Sequence, residues 1–349
     1  MRVCHRPQVA VNLRAGAQKR LDSNHLVMRS LQLFLPRAVG VDAENVRSLD
    51  AAPSLRRLLS RARATRLAQR DIDSALLQSF GVERQRDWPV APFTWLADGG
   101  DPAHCFWLRS DPVHLRADRD ALVLIDARHF DLAHDTAGRL VATLNAHFES
   151  DGLTFHAPAP ERWYVGLRGT PDMTTYPLSD VAGHSVFPLL PSGVDAPVWH
   201  RRFNEIQMLL HEHPVNLVRE DAGGLAINSV WFWGGGILPS AVHSERAGVW
   251  SDAPLAKGLA MVARIARAGV PADAGAWLGR ASDGAHVLTL DTVLSDAEST
   301  WFAPLLRALK EHRLATVSVF IADGDHVLRY DVGTSDLWKF WRRATTMRH

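Results

Sequence analysis

The segment from His211 to Gly236, HEHPVNLVREDAGGLAINSVWFWGGG, places Asn216, Arg219 and Asn228 around the glycine pair Gly223-Gly224, followed by Trp231, Trp233 and three glycines. Glycine serves where a backbone turns sharply or comes close to another group, and the polar and aromatic side chains gathered here suit a site. A guanidinium matches phosphate and carboxylate oxygens in a two-point fork. Arg109 and Arg168 lie beside expected strands, and Arg219 in the expected loop. Asn216, Asn228, Trp231 and Trp233 complete the expected ligand-binding set. Each has a plainer reading. The arginines can pair with acids such as Asp111, Asp118 or Glu220, and the asparagines can satisfy loop backbone groups. The two tryptophans, facing the same way on a strand, can simply fill a core.

Other chemistries leave no pattern. No GxSxG, HExxH, GxxxxGK[ST] or strand-linked GxGxxG is present. His211 and His213 flank Glu212, but alternate residues at a helix end do not share a face. Asp325-His326 lies between two alternating apolar runs, and a strand–turn–strand hairpin accounts for it without a metal. Cys4 and Cys105 have neither CxxC spacing nor a disulfide framework around them.

The elements that must position these residues follow from patterning. Leu31–Leu35 reads as a strand closed by Pro36, and residues 41–80 as helical, with Arg56–Arg70 an amphipathic helix bearing a solvated arginine face. Two prolines mark Asp87–Pro92 as a turn or extended linker, and Thr94–Asp101 reads as a loop. Strands are expected at Cys105–Leu108, Ala121–Ile125, Trp163–Leu167 and Asn228–Trp233. Asp135 is expected to cap a helix, and Trp199, Phe203, Ile206 and Leu210 recur at helical spacing. Further helices are expected at Leu255–Ala268, Trp301–His312 and Thr334–Arg343. The fold class is α/β or α+β, a mixed sheet flanked by helices.

Several motifs in this order carry a family resemblance. Arg162–Gly169 (RWYVGLRG), Thr174–Gly183 (TTYPLSDVAG), Leu190-Pro191-Ser192-Gly193 and the HPVN…R…AIN…WFWGGG passage resemble the archaeal-type cofactor-independent phosphoglycerate mutases, over residues 98–240. The whole chain resembles a bacterial group of regulatory proteins of the RpfE type, related to those mutases. The resemblance implies an α/β segment like the mutases' inserted domain, with a degenerate alkaline-phosphatase-like remainder. It also implies arginines that hold a phosphorylated three-carbon acid, which makes Arg109, Arg168 and Arg219 the leading anion-binding candidates. Mutases of this superfamily hold two metal ions, which need a nucleophile and about six converging ligands. That ligand set does not assemble from this sequence, and Leu178-Ser179 replaces the family's Pro-His ahead of Asp180.

The expected organisation is a disordered N-terminal extension (1–27), a helix-rich part of the core (28–97), the mutase-like segment (98–240) and a C-terminal part completing the core (241–349). At 349 residues, 46% hydrophobic and 22% charged, the chain has ample material for a core. A net charge of +1 argues against nucleic acid or an anionic membrane as main partner. No apolar run reaches the ~18–20 residues of a membrane span, and the cytoplasm is the default location. The expectation is a non-catalytic relative of the mutases, regulatory or binding a small anionic ligand, with no cofactor. The alternative is a mutase-like enzyme on a small phosphorylated or carboxylated substrate, which would call for a divalent metal such as Mn or Mg. A protein partner stays open.

Overall fold

A computed structural model describes residues 29–39, 49–102 and 105–338. The 1–27 extension, and the part of the last expected helix beyond Trp338, lie outside these residues. The elements are β1 (Ser30–Val39), α1 (Pro53–Arg61), β2 (Arg63–Arg66), α2 (Ile72–Ser79), α3 (Val90–Ala97), β3 (Phe106–Asp118), β4 (Ala121–Ile125), α4 (His134–Phe148), β5 (Leu153–Ala159), β6 (Arg162–Leu167), α5 (Leu178–Val181), α6 (Ala196–His211), α7 (Pro214–Asp221) and β7 (Ser229–Gly236). They continue with β8 (Gly248–Trp250), α8 (Pro254–Ala263), β9 (Arg267–Ala268), α9 (Ala274–Arg280), β10 (Ala285–Thr289), α10 (Leu294–Ala297), α11 (Ala303–Lys310), β11 (Thr316–Ala322) and β12 (Val327–Gly333).

Two sheets organise the chain, giving the expected mixed α/β architecture. The first has the order β2-β12-β11-β1-β10-β8-β9. Its β11, β1, β10, β8 and β9 run parallel, and β12 and β2 add an antiparallel edge. Parallel strands need both faces covered, and the sequence obliges. Leu31, Leu33 and Leu35 face a core with Trp277, Phe302 and Leu305, whereas Phe34 and Phe320 stack at 4.1 Å on the opposite side. The second sheet comes wholly from Phe106–Gly236: β3 is flanked by β6 and β7 in its first half and by β4 in its second, with β5 outside β6. Helices α4 and α6 cover its far face through Leu140, Leu144, Trp199, Ile206 and Leu210. Between the sheets lie α2, α3 and α8, whose Leu76, Phe93 and Leu259 join residues of both sheets in one buried cluster.

Several expectations need correction. The arginine-rich stretch is not one helix. It stops at Arg61, Ala62 turns extended, and Arg63–Arg66 pairs with β12, because an open ladder is available there. The prolines of residues 87–92 do not exclude helix. Pro89 precedes α3 and Pro92 falls in its first turn, where no intrahelical N–H is required. Thr94–Ala97 completes that helix instead of lying in a loop. Residue 135 is inside the first turn of α4, not its cap, which is Ala133. The helix from Leu255 ends at Ala263 through Arg264 in a left-handed conformation, so that β9 can join the sheet. The helix expected from Trp301 is entered through a wide turn over Glu298–Phe302.

Strand β7 does not stop at its glycines. Gly234 adopts φ 66°, a conformation open to glycine, and the strand runs on with a register shift opposite Trp107 and Arg109. A Cβ on Gly236 would lie 2.5 Å from the Cβ of Pro89, so these glycines let α3 sit directly on the sheet.

Candidate functional site

The expected ligand-binding residues fall into distinct places. Arg109 and Asp111 are two apart on one face of β3, and Arg109 is opposite Tyr164 of β6 on one side and Trp233 of β7 on the other. The Arg109 guanidinium therefore lies between two rings, 5.3 Å from the centroid of Tyr164 and 5.2 Å from that of Trp233. Its Nε and Nη2 donate to Asp111 Oδ1 at 3.1 and 2.6 Å. The same carboxylate accepts the Trp163 backbone N–H at 3.2 Å and the Trp233 indole N–H at 2.7 Å. With side chains 11% and 2% exposed, this is a buried and internally bonded ion pair. Next to it the Tyr164 hydroxyl donates to Asp98 at 2.5 Å, and Arg162 grips Asp98 with two bonds of 2.6 and 2.8 Å. Burial pushes the Tyr164 phenol upward, keeping it a proton donor.

The asparagines turn inward as well. Asn216 is fully buried. Its Oδ1 accepts Ile227 N–H at 2.9 Å, and its Nδ2 donates to Leu210 O and Ile227 O at 2.7 and 2.8 Å. Asn228 reproduces a strand partner for Leu115, accepting its N–H at 2.7 Å and donating to its carbonyl at 2.9 Å. Trp231 donates its indole N–H to Tyr176 O at 2.9 Å, which fastens β7 to the TTYPLSD loop. The Arg219 Nε donates to Leu225 O at 2.9 Å, closing the Gly223-Gly224 turn. These are structural roles, and they occupy the side chains of Asn216, Asn228 and Trp231.

Arg168 differs. It follows β6, is exposed, and borders two clefts that neither Arg109 nor Arg219 lines. One, of about 450 Å³, is shared with Thr170, Trp199 and Arg202. Arg202 lies on α6 with its guanidinium 4.8 Å over the Trp199 ring, a placement that holds the fork rigid. Of the acids there, Asp195 accepts the Asp172 backbone N–H at 2.7 Å. No ion pair ties down either arginine among the described residues. The other cleft, of about 670 Å³, contains Cys105, Asn145 and His156. His156 packs against the rings of Trp95 and Trp107, at 4.8 and 5.7 Å, and burial lowers its pKa. Sequence reasoning missed Arg202; its one signal was the i, i+3 spacing from Trp199 on a helix.

A third region is acidic. Asp71, Asp73, Asp180, Asp323 and Asp325 border a cleft of about 670 Å³ where α2, the 174–180 loop and the β11–β12 hairpin meet. Burial, with the Asp71 charge behind it, raises Asp73 to about 7. Asp180 is raised by the same two causes. This arrangement does not fit a two-metal centre. Asp71 accepts Ser74 N–H and Oγ–H, both at 2.8 Å, as the cap of α2. Asp87 is held on Thr175, and Asp323 Oδ1 accepts the Asp325 and His326 N–H groups at 3.1 and 2.7 Å. Asp325-His326 thus lies in the loop of a hairpin. Among the described residues no three His, Cys, Asp or Glu groups are arranged to hold a metal ion.

No protein-family model matches the sequence. The chain is similar to 2,3-bisphosphoglycerate-independent phosphoglycerate mutases. With that of Methanosarcina mazei it is 26% identical over 141 residues, 38% of this chain and 36% of the relative. With that of Methanosarcina acetivorans it is 26% identical over 180 residues, 48% and 45%. With that of Methanothrix thermoacetophila it is 33% identical over 104 residues, 28% and 26%. The match thus spans less than half the length of these curated relatives. Among solved structures, the PH0037 protein of Pyrococcus horikoshii superposes with a TM-score of 0.51 at 14% identity, covering 88% of this chain and 87% of that one. A cofactor-independent phosphoglycerate mutase of Thermoplasma acidophilum aligns over 92% and 95% with a TM-score of 0.45 and 18% identity. At 14% identity the likeness to the PH0037 protein is one of fold. No helix among the described residues is long and apolar enough to cross a membrane.

Proposed function

We propose that this protein is a non-catalytic relative of the cofactor-independent phosphoglycerate mutases, a regulatory or small-anion-binding protein of the RpfE type, working without a metal cofactor. The observation that carries the reading is the inward commitment of the motif's polar groups. Arg109 binds Asp111, Asn216 binds Ile227, Asn228 binds Leu115, and Trp231 and Trp233 bind Tyr176 and Asp111. Groups that would have to face a substrate serve instead as the frame of the second sheet. An open cleft then holds Arg168 and Arg202 beside Asp151 and Asp195, and its two guanidinium forks, free of ion pairs among the described residues, suit a phosphate or carboxylate. Isothermal titration with inorganic phosphate and with 3-phosphoglycerate tests this. Binding that is lost in an Arg168→Ala/Arg202→Ala variant supports it; unchanged binding in that variant refutes the site.

A second reading has its own support. The sequence similarity to mutases favours an enzyme acting on a small phosphorylated or carboxylated substrate. Such an enzyme would call for Mn or Mg, and isomerisation of 3-phosphoglycerate with either ion added is the assay that separates the two readings.

A further inference from the structure

Between Pro53 and Arg70 the chain carries six arginines and no acidic residue, although its formal net charge is only +1. This segment is therefore locally basic. The fold sets this segment beside α11, and the two helices leave a groove of about 340 Å³ bordered by Pro53 and Arg57 of α1 and by Ala303, Leu306, Arg307 and Lys310 of α11. Leu306 is buried and supplies an apolar floor. Arg57, Arg307 and Lys310 are exposed, and none has an ion-pair partner among the described residues. Arg307 and Lys310 are neighbours one helical turn apart, and Arg57 faces them across the groove.

The nearby acids are occupied elsewhere. The Glu298 carboxylate accepts the Ser54 backbone N–H at 3.0 and 3.2 Å, capping the start of α1. Asp50 binds Arg56 at 2.6 Å, and Glu311 lies 3.9 Å from Arg313. Arg63 and Arg66 on the edge strand β2, both exposed, extend the basic surface. A site with three unpaired cations and an apolar floor matches a chain that offers carboxylates around a small apolar contact. Nucleic acid fits less well. Among the described residues no aromatic side chain lines the groove to stack a base, and the near-neutral chain lacks the long-range field that gathers polyanions.

We propose that the α1–α11 groove docks an acidic segment of a protein partner. The site is separate from the Arg168–Arg202 cleft and stands or falls independently of it. The test is fluorescence anisotropy with a labelled poly-glutamate peptide at low salt, on the full chain, with a single-stranded oligonucleotide of equal charge as comparison. Saturable peptide binding is expected. It should weaken as salt rises and fall about tenfold or more in Arg57→Glu/Arg307→Glu/Lys310→Glu. A neutral variant, Arg57→Gln/Arg307→Gln/Lys310→Gln, should give an intermediate loss with an unaltered melting temperature. Absence of saturable binding, equal binding by the wild-type and charge-reversed proteins, or tighter binding of the oligonucleotide would each overturn the proposal.

Discussion

Arg109 and Asp111 point to the same face of β3, and Arg109 Nη2 meets Asp111 Oδ1 at 2.6 Å in the space between the Tyr164 and Trp233 rings. The pair joins β3, β6 and β7 through one carboxylate, since Asp111 also takes the Trp163 and Trp233 N–H groups. A guanidinium so enclosed is a strut of the sheet. Removing its partner leaves a buried charge without compensation.

Asp111→Asn is therefore expected to destabilise the protein by roughly 3–5 kcal/mol, the range for breaking one side of a buried pair. Asp111→Asn combined with Arg109→Met should cost clearly less than the sum of the two single changes. Denaturant unfolding of the four proteins measures the coupling, and simple additivity would show that the pair is not the unit described.

Gly258 of α8 packs against α3 so closely that an added Cβ would sit 2.1 Å from the Phe93 carbonyl oxygen. The obstacle is backbone and cannot rotate away. Gly258→Ala should lower stability by about 2–3 kcal/mol or prevent folding, whereas Gly279→Ala, whose Cβ meets nothing within 4 Å, should be tolerated. Melting curves of the two variants are the check.

Asp73 supplies a pH signature. Its carboxyl is raised by burial and by Asp71 to about 7 in the fold, from about 3.9 in an unfolded chain. The folded state then holds the proton more tightly, so this group's contribution is complete at low pH and is lost as pH rises through 7. Asp73→Asn should accordingly stabilise the protein at pH 8, by on the order of 1 kcal/mol after solvent screening, and make little difference near pH 4. The difference in melting temperature between variant and wild type across that range decides it; a flat difference would contradict the assignment.

The proposed anion site rests on Arg168 and Arg202. Millimolar phosphate should raise the melting temperature of the wild-type protein by mass action, and Arg168→Ala should remove the shift while leaving the ligand-free melting temperature unchanged. Arg202→Ala should act similarly, with a small additional loss from its uncovered contact with Trp199.

Much of this was legible in the sequence where local patterning and burial agree. The helical run Trp199, Phe203, Ile206, Leu210 is the buried face of α6, and the alternation on either side of Asp323–His326 is the β11–β12 hairpin. The misreadings share a cause. Arg63–Arg66 became a strand, and Arg267–Ala268 left its expected helix, because ladders built from distant segments were open to them. The glycines of β7 suggested a turn, but the close seat of α3, far back in the sequence, is what requires them. For the site the same limit applies. Arg109 and Arg168 each follow a leucine at an expected strand, yet one lies between cross-strand aromatic rings and the other stands free after its strand ends. Asp111, two residues beyond Arg109, was the local signal; the flanking rings come only from the pairing register.

The most direct test of the central claim is turnover. The purified protein is mixed with 3-phosphoglycerate and Mn²⁺ or Mg²⁺, and formation of 2-phosphoglycerate is followed by a coupled assay. The account predicts no isomerisation above the protein-free rate from a preparation that binds phosphate in the titration. Isomerisation that scales with protein concentration and disappears on chelation would contradict it, and would return the chain to the enzymes it resembles.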